Sequence, residues 1–127
     1  MTKLPFFALF ILFLCFSCTS EPVEIEGFKN YVWKRDKWGC SGERAEMVEI
    51  LLAARQQLTG LREAEVIRFL GKPDAQELYE RNQKFLIYFL EPNINCSTAA
   101  EGIPLANALF IRLNATGLAK ELFVRKH

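Results

Sequence analysis

Residues 58–74, LTGLREAEVIRFLGKPD, divide the chain into two unlike halves. Val66, Ile67 and Leu70 stand three and four apart, so they share one face of a short helix. Gly71 follows the last of them, where a left-handed residue would close the helix, and Pro73 prevents a restart. Asp74 then opens a segment of different character.

Upstream, Thr59-Gly60 breaks the chain, and the short helix is expected from about Arg62 to Leu70. Arg62 cannot accept the free amides of a helix start, so its cap is weak, although Glu65 can reach back to the backbone. A longer helix is expected from about Gly42 to Leu58, with Ser41 as N-cap and Glu43 in the first turn. Met47, Ile50, Leu51, Ala54 and Leu58 form its apolar stripe. Glu43, Glu46, Glu49, Gln56 and Gln57 lie on the opposite, solvated side.

Downstream the period changes to two. Ala75 to Glu80 reads as a weak strand and Arg81-Asn82-Gln83 as a turn. Lys84 to Leu90 reads as a strand with two apolar faces. Glu91 to Leu105 contains Pro92, Cys96, Gly102 and Pro104 and reads as a loop. Ala106 to Leu113 and Leu118 to Arg125 read as a hairpin turned by Asn114 to Gly117, with Gly117 at the left-handed position. Helices first and strands afterwards imply an α+β fold: two helices on one face of a three- to four-stranded antiparallel sheet.

Three runs in this order resemble the SmpA/OmlA (BamE-like) lipoprotein family. They are Gly60-Leu61 with a Glu-x-Val-Ile-type core ending in Val66-Ile67 and Leu70-Gly71-Lys72-Pro73-Asp74, the strand Phe85-Leu86-Ile87-Tyr88-Phe89, and Leu109-Phe110-Ile111-Arg112-Leu113-Asn114-x-x-Gly117. The resemblance covers about Leu58 to Val124. The family usually carries Ser or Thr where Arg62 stands. The resemblance implies the same two-layer fold and an outer membrane lipoprotein that faces the periplasm. It also implies support of a β-barrel assembly machine through protein contacts.

The first residues fit an exported chain. Lys3 is the only charge among residues 1–20, and Leu4 to Phe16 is an almost unbroken apolar run of signal-peptide length. A one-pass membrane anchor is the competing reading. The run ends in Leu14-Cys15-Phe16-Ser17-Cys18, which resembles a lipobox with Cys18 as the lipidated residue; ordinary signal-peptidase cleavage is the alternative. Several acyl chains on Cys18 would anchor the chain stably, where one alone would not. The expected organisation is a signal peptide over 1–17, a lipidated flexible tether over 18–27 and one domain over 28–127. Phe28, Tyr31, Val32, Trp33 and Trp38 are expected to pack on that domain in extended or irregular form, as core cover or as an aromatic docking segment.

Loss of Lys3 with residues 1–17 leaves 15 basic against 15 acidic residues. A balanced chain lacks the cationic excess that nucleic acid binding needs. Of the four cysteines, Cys15 leaves with the signal peptide and Cys18 is the lipid candidate. Cys40 and Cys96 then form an even remainder, which in an oxidising compartment implies a disulfide; two separate buried thiols are the alternative. No metal site, cofactor or catalytic set is expected: His127 is the single histidine, and no glycine-rich phosphate loop occurs. Asn95 and Asn114 match glycosylation signals that in a bacterial chain arise by chance.

Two classes of function remain. One is a non-enzymatic assembly lipoprotein. The other is a periplasmic binding or inhibitor module, since the same helix-pair-on-sheet fold serves both. Lys84 to Leu90 is apolar on both faces, so one face is left over after the helices are packed. If Phe85, Ile87, Phe89, Leu109, Ile111 and Leu113 face the helices, then Leu86, Tyr88, Phe110 and Phe123 form a second apolar patch. Either a partner protein or the Phe28 to Trp38 segment must cover such a patch.

Overall fold

The computed structural model describes residues 21–96 and 105–127. Its sheet is an antiparallel meander of β1 (Ala75–Tyr79), β2 (Gln83–Phe89), β3 (Asn107–Leu113) and β4 (Ala119–Lys126), in that spatial order. Four helices precede it among the described residues: α1 (Asn30–Arg35), α2 (Glu43–Ala53), α3 (Arg55–Leu58) and α4 (Glu63–Leu70). A 3-10 turn over Lys37–Gly39 joins α1 to α2. The expected α+β architecture is therefore present, with the helices gathered on one face of the sheet.

Side-chain alternation in the strands fixes what each face carries. Leu86 lies opposite Ile111 and Tyr88 opposite Leu109, and these residues turn toward the helices. They meet Leu51 of α2, Leu58 of α3, and Val66 and Leu70 of α4, each 1% exposed or less. Ile87 lies opposite Phe110 and Phe89 opposite Ala108, and these turn away. The expected set that paired Phe85, Ile87 and Phe89 with Leu109, Ile111 and Leu113 is thus corrected by one residue of register. The connection from Leu90 to Ala106 is long, so no tight turn links the parity of β2 to that of β3.

Several boundaries also differ from expectation. The long helix breaks at Ala54, where φ is −95° and ψ is 14°, so α2 and α3 are separate pieces. Ser41 is not the N-cap of α2. That position is Gly42, and the carboxylate of Asp36 supplies the capping bonds, accepting from Ser41 N at 2.8 Å and from Arg44 N at 2.9 Å. Arg62 does cap α4 without accepting an amide, and Glu65 reaches back to Arg62 N at 2.8 Å. The segment Phe28 to Trp38, expected to be extended or irregular, is irregular only at Phe28, Lys29 and Asp36; Asn30–Arg35 is helical and Lys37–Gly39 forms a 3-10 turn.

The N-terminal chain joins the core earlier than the tether boundary implies. Ile25 is 8% exposed and belongs to the helix-side cluster, with Val23 and Phe28 packed against it. Phe28 rests on Trp33 and Phe69, with ring centroids 5.6 and 5.2 Å apart. Trp33, at the centre of α1, is wholly buried. The apolar residues at 23, 25 and 28 thus give this acidic segment enough surface to order it against the domain.

Candidate functional site

The Leu70 to Asp74 corner is tied to both layers of the fold by hydrogen bonds. Gly71 ends α4 with its N–H donating to Ile67 O at 2.7 Å, and its φ is +82° with ψ 178°. This is not the left-handed cap conformation expected from sequence. It is an extended conformation of positive φ, which is still more restricted to glycine. The hydroxyl of Tyr88 donates to Gly71 O at 2.7 Å. Burial pushes the pKa of that hydroxyl up, which keeps it protonated as a donor. Pro73 is buried behind the corner.

Asp74 is the centre of the network. Its Oδ1 accepts from Trp38 N at 3.1 Å, and its Oδ2 accepts from Phe89 N at 2.9 Å and from Arg44 Nη1 at 2.6 Å. Arg44 also donates from Nε to Trp33 O at 2.9 Å and from Nη1 to Phe89 O at 3.1 Å. Its guanidinium lies 5.3 Å from the Trp33 ring centroid and 5.6 Å from that of Tyr88. One ion pair therefore joins α1, the 3-10 turn, α2 and one end of the β1–β2 pair, where β1 starts and β2 finishes. Its donors and acceptors are committed within the fold, so it holds shape rather than a reacting group.

Beside it, the 3-10 turn is pressed against the end of β2. A Cβ on Gly39 would stand 2.6 Å from Glu91 N and 2.7 Å from Phe89 O, so only glycine permits this approach. Asn93 Nδ2 donates to Trp38 O at 2.6 Å. Cys40 and Cys96 are joined in a disulfide with Cα atoms 5.6 Å apart, as expected from the cysteine count.

The second sheet face carries Phe85, Ile87, Phe89, Ala106, Ala108 and Phe110, all buried. The molecule roofs this face with its own side chains. Phe123 stacks on Phe110 at 5.5 Å, with the rings inclined by only 8°. The Arg125 guanidinium lies 4.3 Å from the Phe110 ring centroid. Tyr79 rests on Phe85 at 5.1 Å and Trp38 on Phe89 at 5.7 Å. Glu77 of one edge strand reaches His127, beyond the other edge strand, at 2.5 Å and Arg125 at 3.9 Å. The result is an aromatic layer under a polar rim of Glu77, Arg112, Glu121 and Arg125.

Of the expected partner-face residues, Phe110 and Phe123 are on this face. Leu86 and Tyr88 are not: both are wholly buried on the helix side. Phe110 is itself fully covered, while Tyr79 is exposed and Trp38 and Phe123 are half-buried at the margins of the layer. Among the described residues, the Phe28 to Trp38 segment contributes Trp38 to the cover, alongside Ala75 and Tyr79 of β1, Phe123 of β4 and His127 beyond it. Gly117 turns the last hairpin with φ +81°. Cys18 lies outside the described residues. Among the described residues, no three His, Cys, Asp or Glu side chains converge to hold a metal ion. Nor is any described helix long and apolar enough to cross a membrane.

Arg44, Asp36 and Gly39 are structural residues that sequence reading did not single out. Arg44 offered one signal, a cation next to the apolar stripe of an otherwise acidic helix. Asp36 and Gly39 offered none, because their partners are distant in the chain. No family model matches this chain, and no curated protein and no solved structure matches it.

Proposed function

We propose that the chain is a non-enzymatic, lipid-anchored protein of the outer membrane, facing the periplasm, that assists β-barrel assembly through protein contacts. One observation supports this reading most. The Leu-Gly-Lys-Pro-Asp run, on which the resemblance to the BamE-like lipoproteins chiefly rests, is also where both layers of the fold converge. A run with so many structural duties leaves little freedom for its residues to have arisen in this order by chance.

The partner contact lies on the rim of the second face, where Tyr79 is 47% exposed and Arg125 and Glu121 meet solvent. Interfaces favour an aromatic and arginine composition of this kind. Cys18 carries the lipid. A pull-down of the full chain from crosslinked membranes tests the proposal: barrel-assembly components should co-purify. Recovery of a soluble enzyme or a bound small molecule in their place would move the protein to the binding or inhibitor class. The intact mass of the membrane-extracted chain should show acyl groups on Cys18, and an unmodified Cys18 overturns the anchor.

A further inference from the structure

The two edges of the sheet are finished differently. β4 carries Lys120 and Lys126, and the outer edge at its start is already paired. Gly60 N donates to Ala119 O and Ala119 N to Leu61 O, each at 2.8 Å. Cations and covering segments are the usual means of keeping a strand edge from pairing with another chain. The outer edge of β1 has neither. Ala75–Tyr79 contains no Lys, Arg or Pro, and among the described residues nothing pairs with it except β2. Leu78, in this strand, is 91% exposed, more than any other large apolar side chain described.

We infer that β1 is a self-association edge, which pairs antiparallel with β1 of a second copy of this chain. In an antiparallel pair related by a two-fold axis, residues directly opposite share a face, so one residue must lie opposite its own copy. Centring on Glu77 sets two carboxylates against each other, which is unfavourable. Centring on Leu78 removes that conflict. Leu78 then meets Leu78, Glu77 meets Tyr79, and Gln76 meets Glu80. This register buries the most exposed apolar side chain against itself and places no like charges opposite one another. The edge is self-complementary, which is why the occupant is a second copy. The product is a continuous sheet of eight strands, with the two helix layers on the same side. A five-residue edge is small, so the dimer depends on concentration.

The register makes the test specific. The full chain carrying Leu78→Cys, in the membranes of the cells that make it, should give a disulfide-linked dimer under mild oxidation. Gln76→Cys should not. In this register its two copies are four residues apart along the strands, roughly 13 Å, beyond disulfide reach. Gln56→Cys, exposed on α3, controls for random collision and should also give none. In detergent, sedimentation of the unaltered chain should show a concentration-dependent dimer, and Leu78→Lys should leave only monomer with an unchanged melting temperature. A dimer through Gln76→Cys, equal crosslinking of all three variants, crosslinking of Leu78→Cys to a different protein, or a monomer at every concentration overturns the inference. None of these outcomes depends on whether barrel-assembly components bind.

Discussion

Arg44 and Asp74, thirty residues apart in the chain, meet at 2.6 Å with their side chains only 1% and 5% exposed. The charge of each is tolerable only because the other is there, and because backbone groups fill the remaining positions. Removing one partner strands the other in a low-dielectric site. Arg44→Ala should therefore cost on the order of 3–5 kcal/mol in urea denaturation. Replacement of both residues by apolar side chains should cost much less than the sum of the single changes. Equal and additive losses would show that the pair is not coupled.

Gly71→Ala should lower stability by about 1–3 kcal/mol, because φ +82° with ψ 178° is essentially closed to other residues. An added Cβ would also stand 3.0 Å from Lys34 Cγ, but that side chain can move aside. The backbone term therefore dominates. An unchanged or raised melting temperature would refute this account of the corner.

Tyr88→Phe removes the donor to the part-buried Gly71 O. The expected cost is about 0.5–1.5 kcal/mol. The pH dependence has a definite sign. Burial raises the folded-state pKa of Tyr88 above its ordinary value of 10.0. This contribution is therefore complete below pH 10 and is lost as pH rises above it. Denaturation midpoints measured from pH 8 to 11.5 should fall less steeply at the alkaline end in Tyr88→Phe than in the unaltered chain.

Phe110→Ser separates an internal layer from a docking surface. Phe110 is 0% exposed and lies beneath Phe123 and Arg125. A core truncation of this size should cost about 3–5 kcal/mol, with a drop in melting temperature to match. A melting temperature within one or two degrees of the original would mean that the face opens in solution, and that Phe110 is available to a partner after all.

The corner at Leu70 to Asp74, the element order and the disulfide were legible because each leaves a local or arithmetical trace. A glycine and a proline follow a helical period, alternation follows them, and two cysteines remain once Cys15 and Cys18 are set aside for the expected leader and lipid. The faces of β2 and β3 were not legible together. Each strand's alternation is plain, but Leu86 and Phe110 could be placed on one face only by guessing the register across a long connection. α1 was missed for a related reason: Asn30–Arg35 is too short for its apolar residues to show a period. The polar hub was hidden because Asp36, Arg44 and Asp74 find their partners only after both layers have assembled.

The Cys40–Cys96 bond also sets a clock. Its two cysteines are separated by 56 positions, and Cys40 leaves the ribosome first. At typical synthesis rates of 5–20 residues per second, the second thiol follows roughly 3–11 s later. Until Asp74 and then Phe89 have followed, α1 and α2 lack the partners that these residues supply. Oxidation before Cys96 arrives can join Cys40 only to Cys15, Cys18 or a foreign thiol. The N-terminal third of the domain therefore matures last although it is made first, and a chaperone or thiol catalyst acting on this chain has its work in that window.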